Sequence, residues 1–493
     1  MAQPVGAAGS TAPQAEDLIV ADWVGSPRRF IAPLALAQFI CSFAGSNMNV
    51  MINDISRDLN TTVQGVQTAI TLFLLIMAIL MIPGSKLTDK WGRKRCFMGG
   101  LILYGIGTVL SAISPGLGVL ILGNSVFEGV GTALLIPPVY ILTTLAFTDL
   151  TSRAKAFGII SALGGVGAAT GPLIGGVITS GISWRAAFVF QTCVIVAIVL
   201  LSRRMKDPLP ADPSRPFDLA GAVLSGAGLF FVVFGILQAQ SDLALMVIFM
   251  VVGAAFLVWF FLYTRGRERA HKEPLFSLTL FRNRVSNLGL VTQNIQWLLL
   301  MGITFVVSVY LQTVRDFNAI KTGVIFTAIT AGILISSLGA ARFARRREQR
   351  TLILGGFIAT VAGIALLLAL VREAGNVLAF VPGLFVAGLG LGVMLTPSVN
   401  VVQSAFPEEK QGEISGLSRS VSNLGSSLGT AIAGTILVSD LASGNQSYVL
   451  AMIALAALAL IGVTAAALLP HGTGPEGAPG SPNGRPLEAV DSG

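Results

Sequence analysis

Apolar runs of about 20 residues follow one another nearly end to end between Arg29 and Leu469, parted by short segments that hold most of the charge. A run of that length spans a bilayer as a helix. Lipid offers no partner for a free backbone N–H or C=O, so each span must pair its own. The chain is therefore predicted to be all-α and polytopic. Composition agrees: of 493 residues, 53% are hydrophobic and 11% charged, with mean hydropathy +0.78. Soluble domains carry roughly twice that charged fraction. The candidate spans are roughly 30–52, 66–86, 96–115, 117–146, 157–180, 186–202, 218–239, 244–264, 285–311, 321–341, 352–371, 377–399, 413–438 and 447–469, about fourteen in all. Residues 1–29 and 470–493, rich in Ala, Gly and Pro, read as disordered cytoplasmic tails. The first apolar run is a full span rather than a cleavable leader.

A pI near 9.7 would suggest nucleic acid in a soluble protein. Here the positive charge is sorted by membrane side. With the N-terminus inside, 26 of the 32 Lys and Arg fall on the cytoplasmic side. Arg57, Arg185, Arg315, Lys321 and Arg372 fall outside, and Arg419 lies within a span. Both termini are thus expected in the cytoplasm, and nucleic acid is not an expected partner. Cys41, Cys96 and Cys193 all lie in spans, so no disulfide framework is implied. The two histidines, His271 and His471, fall in soluble segments, and no phosphate-binding loop is present. No metal, cofactor, ATP drive or enzymatic activity is expected.

Gly164–Gly176 reads GGVGAATGPLIGG. Gly167, Gly171 and Gly175 fall four apart and share one helix face, where small residues let two membrane helices approach to backbone contact. Pro172 in the same run removes a backbone donor and loosens the helix. Such a stretch serves as a tight seam or as a moving joint. A second stretch, Gly84-Ser85-Lys86-Leu87-Thr88-Asp89-Lys90-Trp91-Gly92-Arg93-Lys94-Arg95, lies between two spans.

Together these stretches resemble two signatures of the major facilitator superfamily. The second matches the loop G-x-x-x-x-D-x-x-G-R-K/R between helices 2 and 3. Gly164–Gly176, which ends G-P-x-x-G-G (Gly171, Pro172, Gly175, Gly176), matches the helix-5 motif of the antiporters. The segment at Gly339 repeats the first loop weakly, with Ala344 in the place of Asp89. The count of about fourteen helices resembles the drug:H+ antiporter branch, as do Ser183-Trp184-Arg185, Tyr310-Leu311-Gln312 and the run Gly425–Gly434. The resemblance covers about residues 30–470. It implies a six-helix half at 30–202, a linker with two extra helices at 203–284 and a second six-helix half at 285–469, with substrate between the halves.

In that family the Gly84, Asp89, Gly92 and Arg93 loop latches one conformation. Asp89, among cations, is expected to stay ionised, with a helix N-terminus of the other half as one possible partner. The bland alternative is a solvated basic loop. Glu128 lies about eleven residues into helix 4, near the midplane, where ionisable groups are costly and usually functional. It is the candidate for proton coupling; the alternative is a permanently neutral side chain bonded across a seam. The chain also departs from the family pattern. Ser125 and Glu128 replace the Arg and Gln of the usual R-x-x-Q-G in helix 4, and Ala44 takes the place of an Asp in helix 1. Either Glu128 has taken over protonation or coupling has been lost. Arg419 binds an anionic substrate group, pairs with Glu128, or snorkels to the interface. Asn49, Gln293, Asn294 and Trp297 join it as candidates to line a substrate cavity.

The expected function is secondary efflux of a small, largely apolar drug or metabolite by proton antiport, as in multidrug and antibiotic resistance. The chain would act as a monomer in the cell membrane, with protons, the bilayer and the small molecule as partners. An uncoupled facilitator or lipid-moving carrier is the alternative, and a non-transporting sensor a remote one.

Overall fold

The computed structural model describes residue 24 and residues 26–147, 150–207, 211–239, 242–343, 348–373, 377–407, 410–438 and 445–470. Most of both expected tails, His471 and Ala344 lie outside these residues. Among the described residues there is no strand, and fourteen long helical segments follow in order. They are α1 Pro27–Asp58, α2 Val63–Trp91, α3 Arg93–Ala112, α4 Leu117–Ala146, α5 Leu150–Gly181, α6 Trp184–Ser202 and α7 Leu219–Gln238. The rest are α8 Leu243–Arg269, α9 Arg284–Val314, α10 Ala319–Phe343, α11 Gln349–Glu373, α12 Phe380–Gln403, α13 Gln411–Val438 and α14 Asn445–Ala467.

Twelve of these are long and apolar enough to cross a membrane. α5 makes a thirteenth if the two sides of its bend are taken as one span, which leaves α13. α5 bends by 41° between Ala168 and Thr170. Pro172 explains the bend, because it offers no N–H to the carbonyl of Ala168. α13 carries six serines and is wrapped by α2, α9, α14 and α7, so it has little need of a lipid-facing surface. Turn chemistry sets several helix starts: Thr62, Ser183, Asp218, Asp242 and Asn283 each accept hydrogen bonds from first-turn amides.

The signature between α2 and α3 is mostly helix rather than loop. Gly84–Trp91 is the last part of α2, and Arg93 already begins α3. Gly92 alone breaks the helix, at φ +95°, where a side chain would be strained.

α1–α6 contact one another, as do α9–α14, and the two groups meet along α2–α13 and α5–α10. α7 lies against both α2 and α13 from outside, and α8 contacts chiefly α7. Buried Asp218 joins α7 to α8 and to the segment that follows α8, accepting from the amides of Gly221 and Leu275 (3.0 Å each) and from the Tyr263 hydroxyl (3.2 Å). Arg267 stands 3.6 Å from the same carboxylate. Lys86, Lys94, Arg215, Arg350 and Lys410 share one end of the bundle, termed here the basic face.

Candidate functional site

A cavity of about 310 Å³ lies between the two helix groups. Residues of α1, α2, α4, α5, α9, α10, α12 and α13 line it, most of them apolar, among them Phe73, Met77, Met301 and Phe326. The polar lining is sparse and includes Gln38, Asn49, Tyr140, Gln296, Asn423 and Arg419. That mixture of apolar wall and few placed polar groups suits a small organic ligand. Asn49, Trp297 and Arg419 of the expected lining are present. Gln293 and Asn294 are not: Gln293 exchanges hydrogen bonds with Ser418 and Ser422 (2.8 Å each), and Asn294 donates to the carbonyl of Val421 (2.9 Å). At their depth α13 covers α9, and Gln296, one turn further on, reaches the cavity instead.

Away from the basic face the cavity is sealed. Gln312 on α9 donates to the carbonyl of Asn49 (2.9 Å) and accepts from the amide of Asn53 (3.0 Å). Ser308 donates to the same Asn49 carbonyl, and the amide of Ile320 donates to Ser180 (3.0 Å). Gly176 lies against the Ala319 carbonyl and Gly323 against that of Pro172, with no room for a Cβ at either. Toward the basic face α5 and α10 part, and the cavity lies between Ser161–Ala168 and Ile329–Leu334. α2 and α13 stay together throughout. Gln67 donates to the carbonyls of Thr430 and Ala431 (3.2 and 3.1 Å), Ser427 to Thr71 (3.0 Å) and Ser420 to Ala78 (2.5 Å). Lys86 and Glu413 close that seam with a 3.0 Å ion pair.

The four-spaced glycines of α5 do not face the other half. Gly167 meets the backbone of Phe39, Gly171 meets Phe43 and Ser46, and Gly175 meets Asn47, all on α1. They form a seam inside one half, while Pro172 and Gly176 form the contact between halves.

The family model of the Major Facilitator Superfamily matches residues 34–265 and 217–430. The chain belongs to that superfamily. This facilitator is 29% identical to "Puromycin resistance protein pur8" of Streptomyces alboniger, over 91% of this chain and 85% of that protein. It is 26% identical to "Multidrug resistance protein Stp" of Mycobacterium tuberculosis (81% and 74% covered). It is 25% identical to "Multidrug efflux pump LfrA" of Mycolicibacterium smegmatis (82% and 80% covered). In fold it is similar to a crystal structure of the peptide transporter POT in complex with sulfate. The TM-score is 0.67 at 17% identity, with 92% of this chain and 97% of that one covered.

Glu128 of the facilitator is fully buried at the contact of α3 and α4. It ends a π-helical turn, Ile121–Glu128, an irregularity frequent at functional sites. One of its oxygens accepts from Ser111 (3.3 Å), and the other has no hydrogen-bond partner among the described residues. Tyr104 stands beside it and donates to Gln191 (2.7 Å). Glu128 does not line the cavity. Thr132, bonded to the Glu128 carbonyl (2.8 Å), and the cavity residue Cys41 lie between.

At the basic face Asp89 pairs with Arg93 (2.8 Å) and with Arg215 of the segment before α7 (3.1 Å). Its partners thus lie on its own side, and the charge crossing to α13 belongs to Lys86. Gly84 abuts the carbonyl of Ala133 on α4. Nearby, hydrogen bonds from Ser214, and Arg215 beside them, hold the exposed Asp212 carboxyl below the usual carboxylate range.

Proposed function

We propose that this transporter expels small, largely apolar organic compounds from the cell by alternating access, in exchange for protons. The observation that carries the reading is the central cavity, sealed by backbone-level contacts at one face and bounded by separated helices toward the other. The basic face is read as cytoplasmic by the Lys/Arg rule, with both tails there and the chain monomeric in the cell membrane. The captured state then has its outer gate shut. Relatives named for antibiotic resistance and drug efflux support the outward direction. Residues 30–202 and 285–469 act as the rocking halves, with 203–284 inserted. Pro172 and Gly176 supply a contact that remakes itself in each cycle, and Gly84, Asp89, Gly92 and Arg93 bias the inward state.

Glu128 is the proposed proton carrier. A carboxyl deep in the membrane is expensive and is retained for function. Ser114, whose carbonyl binds Arg185 (2.8 Å), and Ser111 form a polar track from the outer face to Glu128. Its separation from the cavity favours a second reading, an uncoupled facilitator. Purified protein in proteoliposomes with an internal pH dye decides between them. Substrate-evoked proton movement that vanishes in Glu128→Gln is the result expected. Substrate flux without proton movement in the native chain overturns antiport.

A further inference from the structure

Among the described residues, one charged side chain lines the central cavity, Arg419; no Asp, Glu, Lys or His does. A guanidinium within a membrane is costly and ordinarily pairs with an acid or with carbonyl groups. Among the described residues Arg419 has no ion pair. Glu128, its possible partner across the halves, is bonded to Ser111 instead. The partner it does have is Tyr140, whose hydroxyl accepts a hydrogen bond from Arg419 and whose ring lies 4.9 Å beneath the guanidinium carbon. Tyr140 is itself held: its hydroxyl proton is given to Gln38 (3.3 Å), and Phe157 stacks on its ring at 5.8 Å. The guanidinium is therefore positioned at the cavity wall with most of its N–H fork uncommitted.

Resting on the reading of this cavity as the substrate site, we infer that the transported compounds are organic anions: an apolar, flat body bearing one carboxylate or similarly acidic group. The fork binds a carboxylate through two parallel N–H···O bonds. The methionines and Trp297 face the apolar body. Because Tyr140 sits on α4 and Arg419 on α13, an anion that draws the guanidinium away from Tyr140 also loosens a link between the halves.

The test uses three fluorescent probes that share one ring system: 9-anthracenecarboxylic acid, its carboxamide, and 9-(aminomethyl)anthracene. Binding to the full-length purified protein and counterflow in proteoliposomes are both measured. The carboxylate is expected to bind roughly tenfold to a hundredfold tighter than the amide, as for a charge-assisted hydrogen bond, and the amine weakest. Arg419→Gln should erase the order and Arg419→Lys keep part of it. Amine or amide handled as well as the carboxylate by the native chain overturns the inference and leaves the efflux reading standing, with no variant needed. An order that survives in folded Arg419→Gln overturns the role of Arg419. Failure of all three probes to bind or move overturns the inference, while the proton-movement assay above decides the efflux reading separately.

Discussion

The two ends of the interface between the halves are built differently. At the sealed face the contact runs mainly through the backbone: Gly176 on Ala319, Gly323 on Pro172, and the Gln312 side chain knitted to the main chain of Asn49 and Asn53, beside the exposed Arg57–Asp316 pair (3.4 Å). Toward the basic face the links are side chains reaching across, Lys86 to Glu413, Arg419 to Tyr140 and Ser420 to the Ala78 carbonyl. Each side chain of the Lys86–Glu413 pair is about 30% exposed (28% and 30%), where ion pairs are worth little. The difference shows which end is set to open. A seam of glycines and carbonyls parts only when whole helices move, whereas a flexible bridge yields one bond at a time.

The largest effect is expected from Gly176→Leu, which drives a side chain into the Ala319 carbonyl. Overpacking costs roughly 1–3 kcal/mol, enough to shift two arrangements by about 5–150-fold. Labelling of a cysteine placed at Asn53 by a membrane-impermeant thiol reagent should rise accordingly. A smaller effect should follow Gln312→Ala, which removes bonds between α1 and α9. Polar contacts between membrane helices average about 0.6 kcal/mol each, so the same labelling should increase several-fold. The smallest should come from Lys86→Gln, under about 1 kcal/mol. It should raise the same labelling least of the three, because the bond it removes belongs to the state whose sealed face is shut. Equal effects from Gly176→Leu and Lys86→Gln would erase the distinction between seam and bridge.

The apolar runs made the helices legible, because lipid demands them, and the glycine spacing made the close contacts legible. Azimuth and partner were not. Gly167, Gly171 and Gly175 proclaim a seam but not that it lies against α1. The depth of Glu128 could be counted from the start of helix 4, yet its position behind Thr132 and Cys41 depends on the α3–α4 packing. The π turns at Ile121–Glu128 and Tyr310–Val314 leave no local mark in composition. Tyr140 and Gln38, which hold Arg419, were missed. Their signal was a polar head inside a span, and Tyr140 is one of only five tyrosines in the chain. Gln296 carries the same polar signal as Gln293 three residues before it, and only the fold, which lays α13 across α9, tells the two apart.

The central claim is that opening one face closes the other. Spin labels at Ile182 and Lys321, and separately at Lys155 and Ser337, place one pair across each end of the α5–α10 contact, once the exposed Cys193 is replaced by serine. Pulsed dipolar distances are compared between this background and the same chain carrying Gly176→Leu, in lipid nanodiscs. The account expects the Ile182–Lys321 distance to lengthen and the Lys155–Ser337 distance to shorten together, in the same fraction of molecules. A longer Ile182–Lys321 distance with Lys155–Ser337 unchanged would contradict it, showing a loosened seal without rocking halves.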